Sequence, residues 1–332
     1  MCIQKNIEIQ SILYYNVNMM KSVVRIIAFF AMITLLFTGC RKKEYSLTVT
    51  GMGTVISLSL ESSESEQKLL ELFEEIESSC SRTVADSALN TLNDSGTVED
   101  KYISEQVLLA QDVMEKSNGA LDITVGALAD LWHFSEARVP EESEIALALM
   151  GVGSENVEVN GQKVTVNEKT VVDLGAVTKG YALDKAKEIL KEQGAKYATV
   201  AVGGSVLFYG SKGKKWVCGV RDPFDSSKLL GSFKLSEGCV STSGSYERYF
   251  EKDDKRYHHI LDSKTGYPVQ NGLVSVTVVC ENGFLSDALS TACFVLGKEN
   301  GIALLQEYGC KGIFVEENGE ITVVGDIGFE KA

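Results

Sequence analysis

The sequence predicts an α+β fold. Strand-like stretches outnumber helical ones, they do not alternate regularly with helices, and only one strand–loop–helix–strand unit stands out. Of the 332 residues, 44% are hydrophobic, which is enough apolar material for a sizeable core. No repeat or low-complexity linker divides the chain, and the three prolines mark no domain boundary.

The N-terminus reads as a targeting segment. After Met19 and Met20 come Lys21 and Arg25, an apolar run from Ile26 to Phe37, then Thr38-Gly39-Cys40 and the polar Arg41-Lys42-Lys43. That is the order of a secretory signal peptide, and the run is short for a membrane span of about 20 residues. The small residue before Cys40 resembles a bacterial lipobox, with Cys40 as the acylated first mature residue; a plain membrane anchor is the other reading. Residues 1–18 precede a second plausible start and read as an over-extended N-terminus; 19–40 read as the signal peptide and 41–332 as the mature domain.

Tyr45 to Leu60 alternates apolar and polar residues around Gly51-Met52-Gly53, predicting a strand, a glycine interruption and a second strand. Glu66 to Ser78 spaces Leu69, Leu70, Phe73 and Ile76 as a helix does, and Glu105 to Lys116 repeats this with Val107, Leu108, Ala110, Val113 and Met114. Val157 to Val172 alternates through Val159, Val164 and Val166, with a hairpin turn at Asn160-Gly161. The lone mixed unit follows: strand Val171–Leu174, loop Gly175–Gly180, helix Tyr181–Gln193 capped by Gly194, and strand Tyr197–Val202. Short strands then lead to helices near Ser286–Leu296 and Asn300–Tyr308.

Charge and motifs exclude several functions. Thirty-two Lys and Arg against 46 Asp and Glu give a net charge of −14, without the basic footprint that nucleic acid requires. The eight cysteines form no CxxC pair and no zinc spacing with the three histidines; they read as scattered core residues, with disulfides left open for an exported protein. GxSxG and HExxH are absent, and Gly51-x-Gly53 leads into a strand rather than a helix.

Three segments can carry chemistry. The loop Gly175–Gly180 opens a helix, where free amides suit a phosphate; Lys179 opposes the helix dipole there, and reads either as an anion ligand or as a solvated turn residue. It is not a Walker loop, lacking the Gly-Lys-Ser/Thr ending. Asp287 and Thr291 stand four apart, so a carboxylate and a hydroxyl share one helix face, which suits a hard cation such as magnesium; both also fit ordinary helix roles. His258-His259-Ile260-Leu261-Asp262 offers a histidine near a carboxylate, a candidate proton acceptor or a packed strand residue; His133 beside Trp132 reads as structural.

The order of these fragments resembles the ApbE family of FAD:protein FMN transferases over nearly all of residues 45–330. The matching stretches are Met52-Gly53-Thr54, Asp86 to Asn93, Gly119 to Thr124, Leu131 to Phe134, Asp173 to Asp184, Val202-Gly203-Gly204, Ser243 to Tyr246, His259 to Asp262 with Thr265-Gly266, and Asp287 with Thr291. The Asp173–Asp184 block is the most specific.

The resemblance implies one compact catalytic unit of mixed, largely antiparallel sheets packed with helices. It implies that the Ala176 carbonyl, Asp287 and Thr291 hold Mg2+ against the FAD pyrophosphate, and that Lys179 steadies a phosphate. Met52, Ala120, Leu121, Asp122, Asp173 and Leu261 would contact FAD. His259 would be the base, oriented by Asp262, for attack by a Ser or Thr of an acceptor flavoprotein, with release of AMP. The protein would be lipid-anchored, facing outside the cytoplasm. An FAD pyrophosphatase and a non-catalytic FAD-binding lipoprotein are the alternatives. The chain departs from the family at Thr83, where an aromatic is common, at Ser205, where an acidic or amide residue is common, and at Ser263, where proline is usual.

Overall fold

A computed structural model describes residues 44–134 and 136–332. The signal-peptide segment and Cys40 lie outside the described residues. In chain order the helices are α1 (Glu66–Cys80), α2 (Ala88–Ser95), α3 (Lys101–Lys116), α4 (Gly126–Trp132), α5 (Glu142–Leu149), α6 (Thr178–Glu192), α7 (Gly283–Leu296) and α8 (Lys298–Glu307). The strands are β1 (Tyr45–Gly51), β2 (Thr54–Leu60), β3 (Thr97–Glu99), β4 (Val157–Asn160), β5 (Lys163–Val166), β6 (Tyr197–Val202), β7 (Ser205–Gly210) and β8 (Trp216–Arg221). They continue as β9 (Leu229–Leu235), β10 (Gly238–Gly244), β11 (Tyr249–Lys252), β12 (Lys255–His258), β13 (Leu273–Cys280), β14 (Lys311–Glu316), β15 (Ile321–Val324) and β16 (Glu330–Lys331).

An eight-stranded sheet, ordered β1-β2-β6-β7-β10-β13-β14-β15, organises the fold. Every neighbouring pair in it is antiparallel. The sheet is buried on both faces, because adjacent residues of its central strands enter different cores. Leu207, Cys239 and Phe314 join the core built with α1, α6 and α7, whereas Phe208, Val240 and Ile313 face the small β16-β9-β8 sheet. Two-sided burial explains why β13 reads as the continuous run Leu-Val-Ser-Val-Thr-Val-Val-Cys rather than as a clean alternation. A third cluster packs Leu128, Trp132, Ile145, Phe250 and Leu261 beneath the β11–β12 hairpin.

The anticipated elements form with shifted edges. The β1–β2 interruption is a two-residue hairpin loop, with Met52 and Gly53 at φ of 52° and 67° between paired Gly51 and Thr54. The second hairpin turns at Gly161-Gln162, one residue later than the Asn-Gly signal, because Asn160 pairs with Lys163. Residues 171–174 make only an isolated parallel bridge, Val171 to Val125, in place of a strand. Helix α6 begins at Thr178 and α7 at Gly283, both earlier than apolar spacing indicates. Cys280 and Cys310, on adjoining strand ends, form a disulfide; Cys80, Cys218, Cys239 and Cys293 are free and buried.

One contact fixes the relation of α6 to α7. A Cβ on Gly180 would lie 2.1 Å from the Gly283 carbonyl oxygen, and a Cβ on Gly283 would lie 2.4 Å from the Gly180 carbonyl oxygen. Only glycine at both positions lets the two helix starts meet. Asp184, one turn along α6, then accepts from the Gly283 and Phe284 amides at 2.6 and 2.8 Å, capping α7. Gly180→Ala should therefore destabilise the protein by about 3 kcal/mol or more, read as a lower midpoint in denaturant unfolding. A change below about 0.5 kcal/mol would refute the close approach.

Candidate functional site

The helix contact places the Asp287 carboxylate against the start of α6. Asp287 is 4% exposed, and its hydrogen-bond and charge partners come from the protein. Its Oδ2 accepts from the Gly180 amide at 2.9 Å and lies 3.4 Å from Lys179 Nζ, while Oδ1 accepts from the Ser205 hydroxyl at 3.0 Å. Lys179 also donates to the Gly175 carbonyl at 2.7 Å.

The Gly180 amide has a second consequence. In an unbroken helix it would bond back to the Ala176 carbonyl, but here it turns to Asp287. Among the described residues, no hydrogen bond occupies the Ala176 carbonyl. Thr291, one turn along α7 from Asp287, shares its hydroxyl with Ser243 Oγ at 3.1 Å. A free carbonyl, one carboxylate and one hydroxyl form an oxygen donor set suited to a hard divalent cation. Among the described residues no cluster of three or more His, Cys, Asp or Glu could hold a metal.

The loop's amides are less free than the sequence indicates. Gly175 donates to Asp173 Oδ1 at 2.7 Å, Val177 and Thr178 donate to the Leu174 carbonyl, and Gly180 donates to Asp287. The loop therefore offers the Lys179 ammonium more than a ring of free backbone amides.

A second group of candidate residues is tied together by main-chain and side-chain bonds. The segment Ala120–Asp122 runs into a stretch beside residues 171–173, where the Asp173 amide donates to the Ile123 carbonyl at 2.7 Å. Ser263 Oγ donates to the Gly119 carbonyl at 2.6 Å, which brings the turn after Leu261 onto the same segment. Ala120, Leu121 and Leu261 are buried. Asp122 folds back on Thr124, accepting from its amide at 2.8 Å and its hydroxyl at 2.5 Å, and burial raises its pKa. Asp173 is held by Arg82 at 3.1 Å. Met52 stands at the sheet end, in the turn before Thr54, which packs against Gly203.

Sequence reasoning missed Arg82. Its guanidinium joins Asp173, Asp130 at 2.6 Å and the Gly126 carbonyl at 3.2 Å, clamping α4 and the Asp173 loop to its own segment. It also left the Asp86–Asn93 motif without a role. Asn93 bonds both the amide and the carbonyl of Val172, at 2.8 and 3.0 Å, replacing the strand partner that residues 171–174 lack. Neither bond has a periodicity that could announce it. Thr83 is exposed and bonded to Ser81.

The two adjacent histidines divide their duties. His258 is buried and satisfied: Nδ1 accepts from the Ile260 amide at 3.3 Å, so Nε2 donates to the Val269 carbonyl at 2.8 Å. His259 places Nδ1 3.2 Å from the Arg248 carbonyl, so Nδ1 carries the proton and Nε2 keeps its lone pair. Asp262 does not orient it. That carboxylate accepts from the Lys264 amide at 2.8 Å and shapes the turn instead, so the carbonyl of Arg248 takes the orienting role. His133 caps α4 in the left-handed region at φ 35° with an exposed side chain, whereas neighbouring Trp132 is buried and donates to the Gly266 carbonyl at 2.8 Å.

Burial, with the charges of Arg248 and Lys179 nearby, pushes the His259 pKa down to about 4. Because the folded pKa lies below the ordinary 6.5, the stabilising contribution of His259 is complete above pH 6.5 and is lost as pH falls through about 4. Imidazole NMR of the nucleotide-free protein should show no titration of His259 between about pH 8 and 5.5. A midpoint near the ordinary value would contradict this environment.

The ApbE family profile matches residues 52–325. An FAD:protein FMN transferase of Klebsiella pneumoniae (strain 342) is 32% identical over 290 residues, covering 83% of this chain and 90% of the relative. One from Treponema pallidum (strain Nichols) is 32% identical over 308 residues, covering 83% and 85%. Among solved structures, the ApbE protein of Thermotoga maritima MSB8 superposes with a TM-score of 0.79 at 36% identity, covering 85% of this chain and 97% of that one. Flavin transferase ApbE from Vibrio cholerae gives a TM-score of 0.75 at 26% identity, covering 87% and 96%. With its antiparallel sheet, its paired helix starts and these likenesses, the chain belongs to the ApbE family.

Proposed function

We propose that the protein transfers FMN from FAD to a Ser or Thr hydroxyl of an acceptor protein and releases AMP. The single observation that carries this reading is the Gly180 amide bonded to Asp287, which gathers a free carbonyl, a carboxylate and a lysine at one helix start. The relatives' names supply the substrate and the protein acceptor.

The Ala176 carbonyl, Asp287 and Thr291 would hold Mg2+, which neutralises charge on the pyrophosphate. Lys179 meets a phosphate oxygen. Met52, the Ala120–Asp122 segment, Asp173 and Leu261 border the nucleotide. His259 Nε2 takes the proton of the acceptor hydroxyl as its oxygen bonds to the FMN-side phosphorus and the bond to the AMP oxygen breaks. A base with a pKa near 4 is weak, but a pyrophosphate alongside would raise it toward the working range.

The same reading places the protein outside the cytoplasm on a lipid anchor at Cys40, with a membrane redox subunit as acceptor. The Cys280–Cys310 disulfide supports an oxidising compartment. Among the described residues no helix is long and apolar enough to cross a membrane.

The test is mass spectrometry of a candidate acceptor, a flavoprotein domain encoded by a neighbouring gene, incubated with FAD, Mg2+ and the protein. A gain of one FMN on the acceptor is expected, slowed about a hundredfold or more by Asp287→Ala. Free FMN and AMP without labelling would indicate a pyrophosphatase, and intact FAD a binding protein.

A further inference from the structure

The Asp287 carboxylate is nearly sealed from water, and a buried carboxylate requires a countercharge. Two of its contacts, the Gly180 amide and the Ser205 hydroxyl, are neutral donors. Among the described residues, its charged partner is Lys179, at 3.4 Å. The Lys179 ammonium also sits 2.7 Å from the Gly175 carbonyl, the oxygen one residue before the free Ala176 carbonyl. Lys179 therefore leans on the same oxygen-rich corner assigned above to the divalent cation.

We infer that Lys179 is the built-in counter-cation of Asp287, competes with the divalent cation for that carboxylate, and turns to the nucleotide phosphates when the cation binds. The inference rests on the proposed function and adds a coupling between its two ligands. Three features support it. Two cations on one buried carboxylate repel each other, so both cannot keep the same close contact. Lys179 is in the first turn of α6, where the helix dipole disfavours a cation, so its oxygen contacts rather than the helix hold it. Its side chain is 28% exposed and carries its charge on a flexible four-carbon stem, so the head can swing without disturbing the core.

The consequence is reciprocal. Cation binding to the nucleotide-free protein must displace Lys179, whereas bound pyrophosphate gives the displaced ammonium a new anion. Cation and FAD then strengthen each other's binding by the same factor.

Isothermal titration with Mg2+ tests this on wild type and Lys179→Met, first alone and then with FAD present. Without FAD, the variant should bind Mg2+ about fivefold or more tighter than wild type, and it should gain less from added FAD. A residue that merely supported the loop would weaken binding when removed. Thermal melts check that both proteins are folded, which the partial exposure of Lys179 favours. Equal or weaker Mg2+ binding by the variant, with an undiminished gain from FAD, would overturn the inference alone. No Mg2+ binding by folded wild type, with or without FAD, would overturn the proposed metal site and this inference together.

Discussion

The glycine–glycine contact between the starts of α6 and α7 is the constraint on which the site depends. It lets two helices approach where any side chain would collide with backbone. The approach brings the Asp287 carboxylate to the Gly180 amide, and this one hydrogen bond satisfies a buried acceptor while drawing a donor away from the Ala176 carbonyl. A packing requirement and a chemical one are thus met by the same residues. Asp184 completes the arrangement by capping α7 from α6, so the junction carries few unsatisfied amides of its own.

Around this junction the protein uses side chains to join segments that no sheet connects. Arg82 holds Asp173, Asp130 and the Gly126 carbonyl, Asn93 completes the hydrogen bonding of Val172, and Ser263 reaches the Gly119 carbonyl. These bonds hold the irregular backbone of the region assigned to the nucleotide. Of the departures from the family pattern, Ser205 gains a definite role as a neutral donor to Asp287.

Legibility in the sequence followed the range of the interaction. The hairpin at Met52-Gly53 and the helices of Leu69 and Val107 are local, and their spacing alone announces them. The early starts of α6 and α7 have no apolar stripe to announce them, because their first turns hold Gly180 and Gly283, which the crossing requires, and Ser286, which bonds Ser241 of β10. Asp287, Lys179 and Ala176 could be named from motif order, yet the shared amide that relates them is visible only once the helices meet. Asp262 shows the converse: the family resemblance implies that it orients His259, but a carboxylate at the head of a turn is more readily satisfied by the amide two residues on. Arg82 left no local trace, since its three partners come from distant parts of the chain.

The most direct test of the account is anomalous diffraction from crystals grown with Mn2+ and FAD. One metal peak is expected at about 2–2.3 Å from the Ala176 carbonyl oxygen and from oxygens of Asp287 and Thr291, with the pyrophosphate completing its shell. A metal bound instead at Asp122 or Asp173, with the Ala176 carbonyl left out of its shell, would contradict it.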